Sequence, residues 1–214
     1  MLRLRYQTYE FGSTDIHVRM LRDRQQYADD EGIAERAGVS AASWPLFGVV
    51  WPSGELLAQL MLDHEVEGKR ILEVGCGMGL ASLLLNHQGA DITATDYHPE
   101  AGAFMQENTR LNEDTDITFV RTGWGDAPVD LGEFDLIIGS DLLYEPDHVE
   151  TLSAFIDQHA GPGCEVIIVD PGRGLHPRFS INMIRFGFEH TQKKPTGSDH
   201  MDNDFTGQIL TYHR

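Results

Sequence analysis

The stretch Arg70-Ile71-Leu72-Glu73-Val74-Gly75-Cys76-Gly77-Met78-Gly79 constrains this chain more than any other. An apolar, strand-like run passes into glycine at every second position, and a helical pattern follows from Gly79 to His87. Glycine adopts positive φ without a steric penalty, so this turn can reverse sharply and leave its backbone bare. The same alternation continues downstream. Asp91–Thr95 reads as a strand, Pro99 to about Leu111 as a helix, and Ile117–Val120 and Phe134–Ile138 as further strands. A helix from about Asp147 to His159, a strand Glu165–Val169 and a helix beginning near His176 complete the series. Strands spaced by helical segments imply βαβ units and a parallel sheet. The unbroken apolar runs at 135–138 and 166–169 suit strands buried on both faces.

The ends of the chain read differently. Leu2–Tyr6 and Ile16–Met20 alternate in period two around Phe11–Asp15, predicting an edge-exposed hairpin. Residues 23–43 are polar and Ala/Gly-rich, a connection or a short helix. Gly187–Thr191 and Gly207–Tyr212 are strand-like, with a polar stretch 192–206 between them, and predict an antiparallel pair at the end of the sheet. Residues 1–43 therefore form an N-terminal extension, and 44–214 the main domain.

Composition narrows the function classes. A chain of 214 residues suits one domain with a proper core. Two cysteines cannot build a disulfide framework, and charges interrupt the N-terminus where a signal peptide needs an apolar run. No stretch approaches the roughly 20 apolar residues of a membrane span. The expectation is a cytoplasmic protein, monomeric by default. A net charge of -18 with three lysines repels phosphate, which argues against a nucleic-acid partner. It is compatible with a basic protein substrate steered by the field, or simply with solubility.

The glycine turn has a specific cofactor implication. Open α/β sheets bind ligands beyond the carboxyl ends of their strands. Asp96 ends the second regular strand, 21 residues after Gly75, where a carboxylate can accept both ribose hydroxyls of an adenosine cofactor. A dinucleotide fingerprint would need glycine at position 80, which is leucine. The spacing is instead Glu73-x-Gly75-x-Gly77-x-Gly79. An acidic residue inside the motif repels pyrophosphate but suits the cationic amino-acid end of S-adenosylmethionine. Asp96 could equally cap the helix that Pro99 opens. Trp124, in Thr122-Gly123-Trp124-Gly125-Asp126, offers a flat face for adenine, with Asp126 as an acceptor for its amine, or packs in the core.

Taken together, Trp51-Pro52, the Gly75–Gly79 turn, Thr95-Asp96, Trp124-Gly125 and Ser140-Asp141-Leu142-Leu143-Tyr144 resemble the seven-β-strand family 16 S-adenosylmethionine-dependent methyltransferases. That group includes protein-lysine methyltransferases and some members acting on arginine or histidine. The hallmark D-x-x-Y is Asp141 to Tyr144 here. The resemblance implies a Rossmann-like α/β fold with a seven-stranded, mostly parallel sheet, helices on both faces, an antiparallel C-terminal strand and the N-terminal hairpin beside the acceptor channel. It implies that Trp51, Gly75, Cys76, Gly77, Asp96, Trp124 and Ser140 contact S-adenosylmethionine, and that Asp141 and Tyr144 line the channel for the acceptor nitrogen. Val169-Asp170-Pro171-Gly172-Arg173 also resembles the fifth-strand end of relatives acting on an electron-transfer flavoprotein.

The expected activity is thus N-methylation of a protein, on lysine first. A small-molecule N-methyltransferase and a non-catalytic cofactor-binding module are the alternatives. No metal is expected, since the histidines lack zinc spacing and Asp199–Asp204 lacks the glycine and glutamate of a calcium loop.

Overall fold

The computed structural model describes residues 3–23, 29–36, 38–39, 46–127, 129–195 and 205–214. The polar loop with Asp199–Asp204 and most of 24–45 lie outside the described residues. Two strands open the chain, β1 (Leu4–Phe11) and β2 (Thr14–Leu21), then a single-turn helix α1 (Ile33–Arg36) and the longer α2 (Pro52–Leu62). The regular region runs β3 (Arg70–Val74), α3 (Leu80–His87), β4 (Asp91–Asp96), α4 (Ala101–Leu111) and β5 (Thr118–Arg121). It continues through β6 (Phe134–Ser140), α5 (His148–His159), β7 (Ala160–Asp170), α6 (His176–Arg185), β8 (Glu189–Lys193) and β9 (Gln208–His213).

The main sheet has seven strands in the order β5-β4-β3-β6-β7-β9-β8. β3 pairs in parallel with both β4 and β6, so the chain winds outward in two directions from β3. β9 is antiparallel to β7 on one side and β8 on the other. The later strand is thus inserted between two earlier ones, which sequence reading had only as a terminal antiparallel pair. β7 begins at Ala160, six residues before the apolar run starts, and a register irregularity between Phe134 and Leu136 absorbs the Gly-Pro-Gly segment on its partner.

The sheet separates two apolar clusters. Side chains of β3 alternate between them: Ile71 joins the cluster with α2, α3, α4 and the hairpin, while Leu72 and Val74 join the cluster with α5 and α6. Helices therefore cover both faces. The hairpin contributes Tyr9, Phe11, Ile16, Val18 and Met20 to the first of these clusters. It packs against α4 and α3.

The β2 edge of the hairpin is covered. The buried Asn108 on α4 accepts from the Arg19 amide through Oδ1 at 2.8 Å. One turn later Asn112 accepts from the His17 amide and donates to the His17 carbonyl, both at 2.8 Å. These side chains stand in for a neighbouring strand, satisfying β2 groups that would otherwise template pairing with another chain. Among the described residues no helix is long and apolar enough to cross a membrane. Asn108→Ala should lower the unfolding free energy by about 1–3 kcal/mol, because the Arg19 amide loses its partner in a buried setting, and Asn112→Ala by about 1 kcal/mol. Urea titration measures both; unchanged midpoints would show that the asparagines do not cover this edge.

Candidate functional site

The winding reversal at β3 and β6 leaves a crevice beyond their carboxyl ends, the expected place for a ligand in an open α/β sheet. A cavity of about 350 Å³ sits there, within the ordinary range for small-molecule sites. Gly75 and Gly77 from the β3–α3 turn, Asp96 from β4, Trp124 after β5, and Ser140, Asp141 and Tyr144 at the end of β6 all line it. Trp51 closes another side from the residue preceding α2, its indole N–H donating to the Leu46 carbonyl at 3.1 Å.

The turn follows from its sequence. Gly75 and Gly77 have φ of +60° and +55°. A Cβ on Gly75 would fall 2.6 Å from Leu142 Cδ2 and 3.3 Å from Trp124 Cζ2, so a side chain there would collide with the cavity wall. A Cβ on Gly77 would meet nothing within 4 Å. The backbone at this turn thus lies bare against the cavity, a cradle that fits a ligand in close approach.

Asp96 is held facing this turn. Its Oδ2 accepts from the Gly77 amide at 2.8 Å and its Oδ1 from the His98 amide at 2.7 Å. Burial raises its pKa, and the backbone donors oppose that rise. The helix-capping role weighed from sequence does not hold: α4 begins at Ala101 with Glu100 before it and no side-chain cap, and Asp96 instead binds the His98 amide upstream of the helix while lining the cavity. An ionised carboxylate offers about four acceptor sites, so these amides do not exhaust it. The residues present fit an adenosine cofactor with vicinal hydroxyls.

Glu73 and Cys76 are not among the cavity-lining residues. Glu73 shares the β3 face of Ile71 and points at α3, where Oε2 accepts from the Ser82 amide at 3.0 Å and from the Ser82 hydroxyl. It supplies an acceptor to the first turn of a helix preceded by Gly79, which has no side chain to cap with. Burial drives its pKa up to about 7, against the pull of the Ser82 hydrogen bonds. Cys76 is buried, its amide donating to Thr95 at 2.9 Å, and burial raises its thiol well above the usual value. Asp126 closes its own loop by accepting from the Gly123 amide at 2.7 Å, while still lining the cavity.

Asp141 is conformationally unusual. Its φ is +55°, a region that non-glycine residues seldom occupy, and its amide donates to Val169 at 2.9 Å. That backbone bond fixes the reversal at the end of β6 and turns the side chain toward the cavity. Burial raises the Asp141 pKa, Arg173 lowers it, and nearby Asp170 raises it further. Tyr144 is pushed up to about 12 by burial and the surrounding carboxylates, so its phenol stays neutral.

Sequence reasoning missed several lining residues, among them His148, Tyr97 and Arg173. His148, the first residue of α5, meets the Trp124 and Tyr144 rings edge-on, at centroid distances of 5.1 and 4.6 Å. Tyr97 lines the cavity beside Asp96. Arg173 reaches it from the loop after β7 and pairs with Asp141. Only the aspartate-proline-glycine-arginine run of that loop gave a signal for Arg173. The hairpin contributes none of the described lining residues; it packs on α3 and α4.

The family model described as lysine methyltransferase matches residues 40–174. The electron transfer flavoprotein beta subunit lysine methyltransferase of Mus musculus is 31% identical over 85% of this chain and 71% of its own length. A histone-arginine methyltransferase of Xenopus laevis is 31% identical over 48% of this chain and 47% of its own. Among solved structures, the magnesium protoporphyrin IX methyltransferase of Synechocystis with S-adenosylmethionine bound superposes with a TM-score of 0.57 at 18% identity. That match covers 76% of this chain and 77% of the other, and shows the likeness of fold.

Glu73 generates a pH prediction. Its folded pKa, about 7, lies above the ordinary 4.5, so its neutral form favours the folded state. That contribution is fully present below pH 4.5 and is lost as pH rises through about 7. Relative to Glu73→Gln, which keeps an acceptor and cannot ionise, the parent should lose about 3 kcal/mol of stability across this window. Urea unfolding of both proteins at several pH values measures the difference; parallel curves would remove the assignment.

Proposed function

Because this chain is an S-adenosylmethionine-dependent methyltransferase belonging to the lysine methyltransferase family, we propose that its acceptor is a lysine side chain of a protein substrate. The observation that carries the reading is Asp141, held at positive φ and facing the same cavity as Gly75, Gly77 and Asp96. A residue kept in a costly backbone conformation at a ligand cavity marks a place where the fold spends stability on function.

When bound, S-adenosylmethionine supplies a methyl carbon on a cationic sulfur that departs as a neutral thioether. The chain's residues do the rest by positioning. Asp96 holds the ribose hydroxyls, the bare turn at Gly75 and Gly77 gives the cofactor room, and Trp51, Trp124 and Ser140 bound it. Glu73 and Cys76 act from behind, keeping α3 and the turn in place. A lysine ammonium must shed a proton before its nitrogen can attack. The half-buried channel disfavours the ammonium, which gives that proton to solvent water; Asp141 then takes a hydrogen bond from the neutral nitrogen and balances the charge of the methylated product. Tyr144, neutral at working pH, orients the nitrogen through its hydroxyl without acting as a phenolate base.

In this reading the acidic chain draws in a basic protein segment rather than nucleic acid, and works as a cytoplasmic monomer. Residues 1–43 serve as an extension whose hairpin braces α3 and α4, and 44–214 as the catalytic unit.

The test is incubation of purified protein with methyl-labelled S-adenosylmethionine and a protein extract, followed by acid hydrolysis. Label in methylated lysine supports the reading; label in methylated arginine or only in small molecules overturns the acceptor. Asp141→Asn should lower transfer by about 10²–10⁴-fold while S-adenosylhomocysteine affinity changes only a few-fold. Asp96→Ala should weaken that affinity by about ten-fold or more, as expected for a lost charge-assisted hydrogen bond. Full activity of Asp141→Asn would remove Asp141 from the acceptor site.

A further inference from the structure

Among the described residues that line the cavity, Arg173 is the sole lysine or arginine, against Asp96, Asp126, Asp141 and Glu145. Its Nη2 donates to Asp141 Oδ2 at 3.0 Å while Nη1 lies against Oδ1. Its Cζ stands 6.0 Å from the centre of the Tyr144 ring. Both residues assigned to the acceptor amine are therefore already engaged with a cation. The other carboxylates at this end of the sheet have fixed donors. Asp96 is held by the Gly77 and His98 amides, Glu73 by Ser82, Asp126 by the Gly123 amide and Asp170 by the Gly172 amide. Asp141 differs: its described donor is the end of a long side chain that is 38% exposed. Gly172 and Gly174 flank Arg173, and a Cβ on either would meet nothing within 4 Å.

Building on the lysine reading, we propose that Arg173 is an exchangeable internal cation, which fills the acceptor subsite in the free protein and yields Asp141 and Tyr144 to the incoming lysine ammonium. The exchange conserves charge: one charge-assisted pair replaces another, and Asp141 is never left buried and unpaired. A neutral acceptor of similar shape cannot make this trade, because displacing the guanidinium would strand a carboxylate that also faces Asp170. Arg173 thereby selects cations at the acceptor subsite and keeps the aspartate charged between turnovers. It acts on specificity through Asp141.

Two cofactor analogues test this. S-adenosylhomocysteine lacks the transferable methyl, and sinefungin carries an amino group where that methyl stands, so its ammonium competes with Arg173 for Asp141. Calorimetric titration is made on the parent, Arg173→Gln, Arg173→Lys, Asp141→Asn and the Asp141→Asn/Arg173→Gln double variant. Arg173→Gln should bind sinefungin about ten-fold more tightly than the parent, with S-adenosylhomocysteine within about two-fold, as expected for one released charge-assisted contact. Arg173→Lys, which keeps a cation, should stay near the parent. In the Asp141→Asn background, Arg173→Gln should change neither analogue. Retained S-adenosylhomocysteine affinity shows that each variant is folded. Unchanged or weaker sinefungin binding in Arg173→Gln overturns the proposal, as does equal tightening in the Asp141→Asn background, which would mean repulsion through space rather than exchange. If neither analogue binds the parent, the cofactor reading itself fails.

Discussion

Carboxylates crowd the carboxyl ends of β3, β4, β6 and β7, and the structure depends on how each is matched. A carboxylate removed from water without a donor is too costly to keep ionised, so every one must find a partner or take up a proton. Asp96 finds backbone amides on either side of the β4 end, and in doing so ties the glycine turn to the neighbouring strand. Asp170 ties the loop after β7 in the same way, through the Gly172 amide. Glu73 binds β3 to α3 through Ser82. These bonds give the crevice its shape, because each acidic side chain holds a different wall in position.

The same economy of polar groups governs the far side of the molecule. The hairpin could have left the free edge of β2 open to a second chain, but two asparagines a helical turn apart on α4 cover it. Its inner face meanwhile feeds the apolar cluster shared with α2, α3 and α4. An element that reads as an appendage therefore shares one core with the helices behind the crevice.

How much of this was legible depends on the range of the interactions. Period-two runs and glycine turns are local signals, so the strands from β3 to β7 and the helices between them fall within a few residues of their expected bounds. Gly75 and Asp96 were visible for the same reason, since each stands at a strand end that can be recognised, whereas Asp141 was picked out by the D-x-x-Y resemblance and Trp124 read equally well as core packing. Glu73 shows where pattern stops. Its position in the motif is clear, but the direction of its side chain depends on which face of β3 it takes, and that face meets α3. Asn108 and Asn112 read as ordinary solvated helix positions, since nothing in their own segment announces a strand 89 residues and 95 residues away. Arg173 and His148 were hidden likewise, because a side chain that reaches across from another loop leaves no spacing to count.

The placement of β9 bears on the order in which the protein can be completed during synthesis. β8 is made first, yet its neighbour in the sheet is β9, which stands between it and β7. Until residues 208–213 leave the ribosome, β8 has nothing to pair with, and β7 presents the apolar edge Val166–Val169 without its partner. Gln208 is the residue that pairs with Asp170, so the loop carrying Arg173 gains its anchor in the same event. The half of the crevice built from β3, β4 and β5 can assemble early on the nascent chain. The half that depends on β7 and its following loop matures last, which separates the two halves of one crevice in time.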